Sequence, residues 1–207
     1  MPIKSETSRL IDTIIASGPA PLLKTSGYRK MARSFYAKAG DLFKVVQFQA
    51  SMWNTPDSAQ FTLNLKIVLP YFHEKWLGKP FPKNPGSAAP VATQRIGMLM
   101  PENLDRWWEI TPKINVERVA TQVSTALAKF GLPFLDQHAN LDLLIQEVAD
   151  KKATYRMGTN PDLCHAIILN YQGNQLKAAR VVRELAEKNT LKGFADTIKL
   201  IAQRLGL

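Results

Sequence analysis

The clearest hydrophobic pattern in the chain is a period-two alternation in its first third. Residues 61–69 place Phe, Leu or Ile at every second position, with polar residues between most of them. Such alternation is typical of a strand with one buried face. Residues 30–38 and 42–52 predict two further strands, separated by a turn at residues 39–41. Because these connections are too short for a crossover helix, we expect an antiparallel meander.

Helical spacing of apolar residues dominates the rest of the chain. A first helix is predicted at 3–16, with Ser5 or Thr7 near its start, and SGPAP (17–21) breaks it before a short turn at 22–26. Two further strands, at 94–100 and 104–111, follow a loop at 79–93 that holds four prolines. The remaining helices are predicted at 71–78, 115–130 with Gly131 as its stop, 141–148, 161–171, 175–189 and 191–205.

The order of these elements predicts the fold class. Strands come first and helices after, which favours α+β over a wound parallel sheet. We therefore expect an antiparallel β-meander of about five strands packed with helices, followed by an all-helical C-terminal segment. The domain prediction is an α+β domain at residues 1–150 and a helical extension at 151–207, packed on the same domain.

Five fragments in the first two-thirds of the chain are distinctive in their order. They are SGYRKMARSFYAKAGDLFKVVQFQAS (26–51), QFTLNLKIVLP (60–70), RIGMLM (95–100), DRWWEI (105–110) and LPFLD (132–136). Together they resemble the bacterial family catalogued as domain of unknown function 4304, and the resemblance covers about residues 5–150. It implies an α+β fold and a bacterial, cytosolic setting, and it carries over no activity and no catalytic residue.

Composition narrows the class of protein. The chain has 207 residues, of which 45% are hydrophobic and 21% charged, as in ordinary globular proteins. The single cysteine, Cys164, excludes an intramolecular disulfide and favours a reducing compartment. The apolar stretch near the N-terminus is too short and too interrupted for a signal peptide, and no run approaches a membrane span. We expect a cytoplasmic protein that does not enter a membrane.

The densest group of chemically distinctive side chains lies at residues 105–109. It consists of Asp105, Arg106, Trp107, Trp108 and Glu109. On a strand, Arg106 and Trp108 face one way and the other three face the opposite way, so one tryptophan is expected in the core. The other is either a binding hot spot, where Trp and Arg are enriched, or a ring capped by a local ion pair, which is the favoured interpretation.

A second candidate surface is polar. Gln47 and Gln49 share one face of the second strand, and Thr62, Asn64 and Lys66 share the polar face of the third. If the two faces coincide, they form a wall of hydrogen-bonding groups. Such a wall is either a groove for a polar ligand or peptide or the solvated face that antiparallel sheets commonly have, and the solvated face is favoured.

A third candidate rests on charge. The formal net charge is +10, and cations cluster on the first predicted hairpin beside aromatic residues. Arg29, Lys30, Arg33 and Lys44 are candidate contacts for a polyanion, since charge and stacking rings together suit single-stranded nucleic acid. A solvated basic edge that discourages strand pairing is the favoured alternative.

No catalytic or cofactor motif is present, and we expect no cofactor and no metal. The three histidines have no metal-ligand spacing. The leading hypothesis is a non-enzymatic protein-binding module, an adaptor or an immunity-type partner, whose own partner is another protein. One alternative is a nucleic-acid-associated basic protein. The other is an enzyme with its site under the 79–93 loop, using Asp105, Glu109 or His73.

Overall fold

An antiparallel sheet lies at the centre of the first two-thirds of the protein. The computed structural model describes residues 5–150, 155, 160–188 and 192–207. Strands β1 to β5 follow one another as neighbours in the sheet. β6 also pairs with β4, at residues 59–61, next to the part of β4 that pairs with β5. The predicted α+β class with an antiparallel meander is therefore confirmed. The strands are β1 (Arg29–Met31), β2 (Ser34–Ala39), β3 (Leu42–Ala50), β4 (Ala59–Val68), β5 (Ala92–Arg95) and β6 (Trp108–Ile110).

Helices precede, interrupt and follow the sheet. Ser5 caps the first helix, as predicted, by accepting a hydrogen bond from the Ser8 amide at 3.2 Å. The break predicted at residues 17–21 is a single residue in the structure. The first helix ends at Ser17, Gly18 lies between, and a second helix begins at Pro19. The helices are α1 (Glu6–Ser17), α2 (Pro19–Thr25), α3 (Pro70–Leu77), α4 (Val116–Ala126), α5 (Leu132–His138), α6 (Leu141–Ala149), α7 (Pro161–Tyr171), α8 (Gln175–Lys188) and α9 (Lys192–Leu205).

The inner face of the sheet, defined as the face that packs against helices, carries the alternating apolar side chains. Phe61, Leu63, Leu65 and Ile67 of β4 are fully buried there. α1 and α5 contact β4, and α4 packs against α1. Each large apolar side chain contributes about 1.5–3 kcal/mol on full burial, so this layer supplies much of the driving force for folding.

The strand predicted at 30–38 is in fact two strands joined by a tight turn. β1 and β2 form a hairpin whose two turn residues are Ala32 and Arg33. Ala32 adopts a φ of 52°, a conformation that usually calls for Gly or Asn, so the residue pattern carried no turn signal. Arg33 anchors the turn to α1, because its guanidinium donates to Asp12 at 2.6 Å and to the Ser8 carbonyl at 2.8 Å.

The strands predicted at 94–100 and 104–111 are both shorter in the structure. β5 begins at Ala92, inside the stretch predicted as a loop, and ends at Arg95; the next four residues form a 3-10 turn. β6 has only three residues. The two strands pair with separate parts of the same β4 edge. Between the two strands the chain leaves the sheet, and the backbone of residues 104–106 packs directly on Gly97.

The helix predicted at 115–130 does not stop at Gly131. α4 passes into a π-helical turn at 127–131 and then into α5. Gly131 keeps helical angles, with φ −72° and ψ −50°. A Cβ there would lie 3.4 Å from Ile96 and 3.5 Å from Leu65. The predicted stop was wrong because this glycine serves close packing against neighbouring core side chains rather than helix termination.

α7 and α9 pack on α3, α8 packs on α7 and α9, and all three helices contribute to the same buried cluster as the sheet. Arg204 of α9 donates to the backbone oxygens of Lys75 at 3.1 Å and Trp76 at 2.6 Å. A cation at the C-terminal end of a helix satisfies free carbonyls and complements the helix dipole. This contact therefore joins the end of the chain to the element that follows β4.

None of the helices in the described ranges is both long enough and apolar enough to cross a membrane. The predicted helix starts at residues 3 and 191, the predicted helix end at residue 189 and the domain boundary at 151 lie outside the described residues.

Candidate functional site: the outer face of the sheet

The outer face of the sheet, opposite the helices, brings the predicted polar side chains together. In the β3–β4 register, Gln47 lies opposite Asn64 and Gln49 lies opposite Thr62. The Asn64 side-chain amide donates to the Gln49 side-chain oxygen at 2.6 Å. Gln47, Gln49 and Asn64 are half-buried. They therefore form one continuous row of amide groups on two adjacent strands.

The 79–93 loop covers the other half of this face. Lys66 donates to the Gly86 carbonyl at 2.9 Å, and a Cβ at Gly86 would lie only 2.2 Å from Ser34 Oγ. Ala88 of the loop packs into a second, smaller apolar cluster of outer-face side chains. Burial lowers the pKa of Lys66. The loop thus packs flat on the sheet and leaves the amide row as the half of the outer face that it does not cover.

The two tryptophans of the 105–109 cluster have different environments. Trp108 is buried and stacks on Phe61 with ring centroids 5.6 Å apart. Trp107 is half-buried, and the Arg95 guanidinium lies 4.9 Å from its ring centroid. Asp105 accepts two hydrogen bonds from Arg95, at 3.0 and 3.1 Å, and one from Trp107 Nε1 at 3.1 Å. Trp107 is therefore a ring capped by a local ion pair.

Backbone packing at Gly97 positions this cluster above β4. A Cβ at Gly97 would lie 2.2 Å from the Leu104 carbonyl oxygen and 2.4 Å from the Arg106 amide nitrogen. The Thr62 hydroxyl donates to the Arg106 carbonyl at 2.7 Å. The Arg106 side chain itself is exposed, with its guanidinium 5.8 Å from the Trp108 ring centroid. A depression of about 300 Å³ lies between Gly97 and residues 100–107.

Glu109, Asp105 and His73 occupy three separate settings. Glu109 is exposed and lies opposite Gln60 on the neighbouring strand. Asp105 is held by Arg95 at the surface. His73 is buried, and its Nδ1 accepts a hydrogen bond from the Ala89 amide at 2.9 Å. The three side chains named for an enzyme under the loop are thus not arranged around a shared space.

The β3–β4 hairpin carries an apolar tip that the residue pattern did not single out. Met52 and Trp53 are 85% and 82% exposed. The loop behind them is held firmly, because the Asn54 side chain bonds both backbone groups of Gln60, at 3.1 and 2.8 Å. The Thr7 hydroxyl of α1 also donates to the loop, at the carbonyl oxygen of Thr55. The sequence carries no periodic signal for this feature, because the exposure of Trp53 depends on the hydrogen bonds that fix the turn.

The four predicted polyanion contacts do not share a surface. Lys44 pairs with Asp136 at 2.5 Å on the inner face, and Arg33 is held by its bonds to α1. Lys30 lies on the inner-face side above the ring of buried Phe35, and Arg29 is opposite Tyr36. Two of the four cations therefore anchor helices. Among the described residues, no group of three or more His, Cys, Asp or Glu is arranged to hold a metal ion.

A family model described as Domain of unknown function (DUF4304) matches residues 19–137, which is more than half of the chain. The chain belongs to this family. A comparison with curated proteins finds no match, and neither does a comparison with solved structures.

The domain of unknown function 4304 segment contains the complete candidate surface. It runs from the start of α2 to the penultimate residue of α5 and includes β1 to β6, the amide row, the Trp107 cluster and the hairpin tip. Helices α6 to α9 lie beyond it. The earlier resemblance to this family is confirmed, and the matched segment falls within the range of residues expected from the quoted fragments.

Proposed function

We propose that this member of the family is a protein-binding module whose docking surface joins the hairpin tip to the amide row on the outer sheet face. The observation that carries the proposal is the exposure of Trp53. Met52 and Trp53 are adjacent and both exposed, so they form a contiguous apolar patch, and such patches often mark interaction sites. Tryptophan is also enriched in binding hot spots.

The tip is suited to binding because its backbone is already ordered. Asn54 bonds Gln60 on both sides, and Thr7 attaches the loop to α1. A partner that buries Met52 and Trp53 therefore has little loop entropy to overcome. Preorganisation of this kind raises affinity without adding contacts.

Polar groups lie close to this apolar anchor. Ser51 pairs with Gln60 directly beyond the strand position of Gln49, so the tip continues the outer face. The amide row and the exposed Arg106 supply hydrogen-bond donors and acceptors. An apolar centre with a polar rim is the usual arrangement of a transient protein interface. This arrangement supports an adaptor or immunity-type role more than a catalytic one.

Affinity capture tests the proposal. The purified protein is immobilised and exposed to nuclease-treated lysate of its own host, beside Trp53→Ala and Leu176→Ala. Leu176 is 89% exposed on α8, far outside the family segment, and makes a matched control. We expect the wild type and Leu176→Ala to retain the same protein, and Trp53→Ala to weaken its binding about thirtyfold, as for a hot spot worth about 2 kcal/mol.

Two results would contradict the proposal. The first is equal retention of that protein by Trp53→Ala, since the tip would then make no contact. The second is a mixture of proteins that nuclease or salt removes, which would favour the nucleic-acid alternative. Trp107→Ala and Arg106→Ala extend the test to the neighbouring cluster.

A further inference from the structure

A cleft of about 450 Å³ opens where the β2–β3 turn meets the start of α3 and the end of α7. Its floor includes Leu69 and Pro70. Its walls carry four rings, each half-buried and each from a different segment of the chain. Small-molecule sites typically occupy roughly 300–1,000 Å³ and are lined mainly by apolar and aromatic side chains. The four rings are Phe43, Tyr71, Phe81 and Tyr171.

The rings form two pairs that leave ring surface exposed to the cleft. Phe43 and Phe81 stack with centroids 5.5 Å apart and planes 21° apart. Tyr71 and Tyr171 lie 5.3 Å apart. Phe43 also contacts Tyr36, Phe81 contacts His73, and the Lys75 ammonium lies 5.2 Å from the Tyr71 ring centroid. The ring surface that still lines the cleft favours a flat aromatic guest, because aromatic rings prefer offset-stacked or edge-on contact with one another.

The rim of the cleft carries one charge of each sign. Lys38 and Asp41 are three positions apart across the β2–β3 turn, and both line the cleft. The Tyr171 hydroxyl donates to Asp41 Oδ2 at 2.6 Å. This hydrogen bond raises the pKa of Tyr171, and the protonated hydroxyl holds the carboxylate in position.

We propose that this cleft binds a small aromatic zwitterion, the chemistry of a free aromatic α-amino acid. The ring lies against the two aromatic pairs, the ammonium group meets Asp41 and the carboxylate meets Lys38. A purely cationic guest would face Lys38 and a purely anionic one would face Asp41, and each like-charge contact costs affinity. A residue inside a peptide lacks both charges, so the free amino acid is the matching ligand.

This site is independent of the proposed docking surface. Phe43 stands near the start of β3, whereas Trp53 follows the end of that strand. The 79–93 loop, which contributes Phe81, lies over the intervening outer face. Loss of amino-acid binding therefore leaves protein binding at the hairpin tip unaffected, and the two proposals fail separately.

Titration calorimetry with a matched probe series tests the assignment. The probes are L-tryptophan, tryptamine, which lacks the carboxylate, indole-3-propionate, which lacks the ammonium, and indole, which lacks both. We expect L-tryptophan to bind about tenfold more tightly than either singly charged probe, since each charged hydrogen bond is worth about that factor. Indole is expected to bind most weakly.

Variants separate the two charges. Asp41→Asn is expected to weaken L-tryptophan and tryptamine about tenfold and, because it removes a like charge, to tighten the binding of indole-3-propionate. Lys38→Met is expected to weaken L-tryptophan and indole-3-propionate and, for the same reason, to tighten the binding of tryptamine. Lys79→Met, at an exposed position outside the cleft lining, is the control. Equal affinity for L-tryptophan and indole, identical responses of all probes to both variants, or no saturable binding of any probe would overturn the proposal.

Discussion

Replacing Gly86 with alanine tests how closely the 79–93 loop lies on the sheet. Gly86 is buried, and its added Cβ would stand 2.2 Å from Ser34 Oγ and 2.5 Å from Ser34 Cβ. Ordinary contacts between such atoms are about 3.5–4.0 Å. The loop must therefore move by more than about 1 Å, and the hydrogen bond from Lys66 to the Gly86 carbonyl, now 2.9 Å long, is stretched with it.

The expected cost follows from these two effects. Overpacking of a well-filled site costs about 1–3 kcal/mol, and a hydrogen bond from a charged donor contributes about 1.5–3 kcal/mol when it is kept intact. Relaxation of the loop relieves part of the overpacking strain and preserves part of the hydrogen bond. We therefore expect Gly86→Ala to lower the free energy of unfolding by about 2–4 kcal/mol. For a chain of this size that corresponds to a melting temperature lower by about 5–15 °C.

Urea denaturation followed by circular dichroism measures this change. Gly193→Ala is the control, because no atom lies within 4 Å of a Cβ at that exposed position in α9. There the same substitution is expected to stabilise the protein by about 0.5–1 kcal/mol through helix propensity. Adding Ser34→Gly to Gly86→Ala is expected to restore part of the loss. A Gly86→Ala protein as stable as the wild type would refute close packing of the loop.

Three further outcomes are expected. Burial raises the pKa of the Cys164 thiol to about 12, so Ellman's reagent at pH 8 should react with one thiol per chain only after unfolding; fast reaction in native protein would contradict its burial. Burial lowers the pKa of Lys66 below its ordinary value of 10.5. Just below pH 10.5 the unfolded state therefore binds more protons than the folded state, and the free energy of unfolding increases as the pH rises. The difference in unfolding free energy between wild type and Lys66→Met should therefore change with pH just below 10.5. A difference that stays constant with pH would contradict a lowered pKa of Lys66. Leu65→Ala should cost about 2–5 kcal/mol in urea denaturation, and a loss below about 1 kcal/mol would place the side chain outside the core.

The sheet was predictable because one physical rule governs it. Strand side chains alternate with a period of two, so Leu65 on the inner face requires Asn64 on the outer face. Once the antiparallel order is known, the amide row on β3 and β4 follows from that rule. The same rule predicted one buried and one partly exposed tryptophan at 107 and 108. The rule could not identify Arg95 as the residue that contacts Trp107, because Arg95 belongs to β5, which pairs with a different part of β4.

Other features depend on contacts that are distant in the chain. Arg33 and Lys44 resemble surface cations in the sequence, yet their partners Asp12 and Asp136 come from helices on the inner face. The exposure of Trp53 depends on hydrogen bonds that fix a turn rather than on any periodicity. Ion pairs and loop geometry of this kind carry no repeating pattern, so sequence reasoning alone had no means of finding them.

Photo-cross-linking from position 53 tests the protein-binding proposal most directly. A photoreactive benzophenone amino acid replaces Trp53 in one version of the protein and Leu176 in another, and both are irradiated in cells of the natural host. We expect one defined cross-linked protein from position 53 and none from position 176, because only the hairpin tip belongs to the proposed docking surface. The absence of any cross-linked protein from position 53, or the same cross-linked proteins from both positions, would contradict the proposed docking surface.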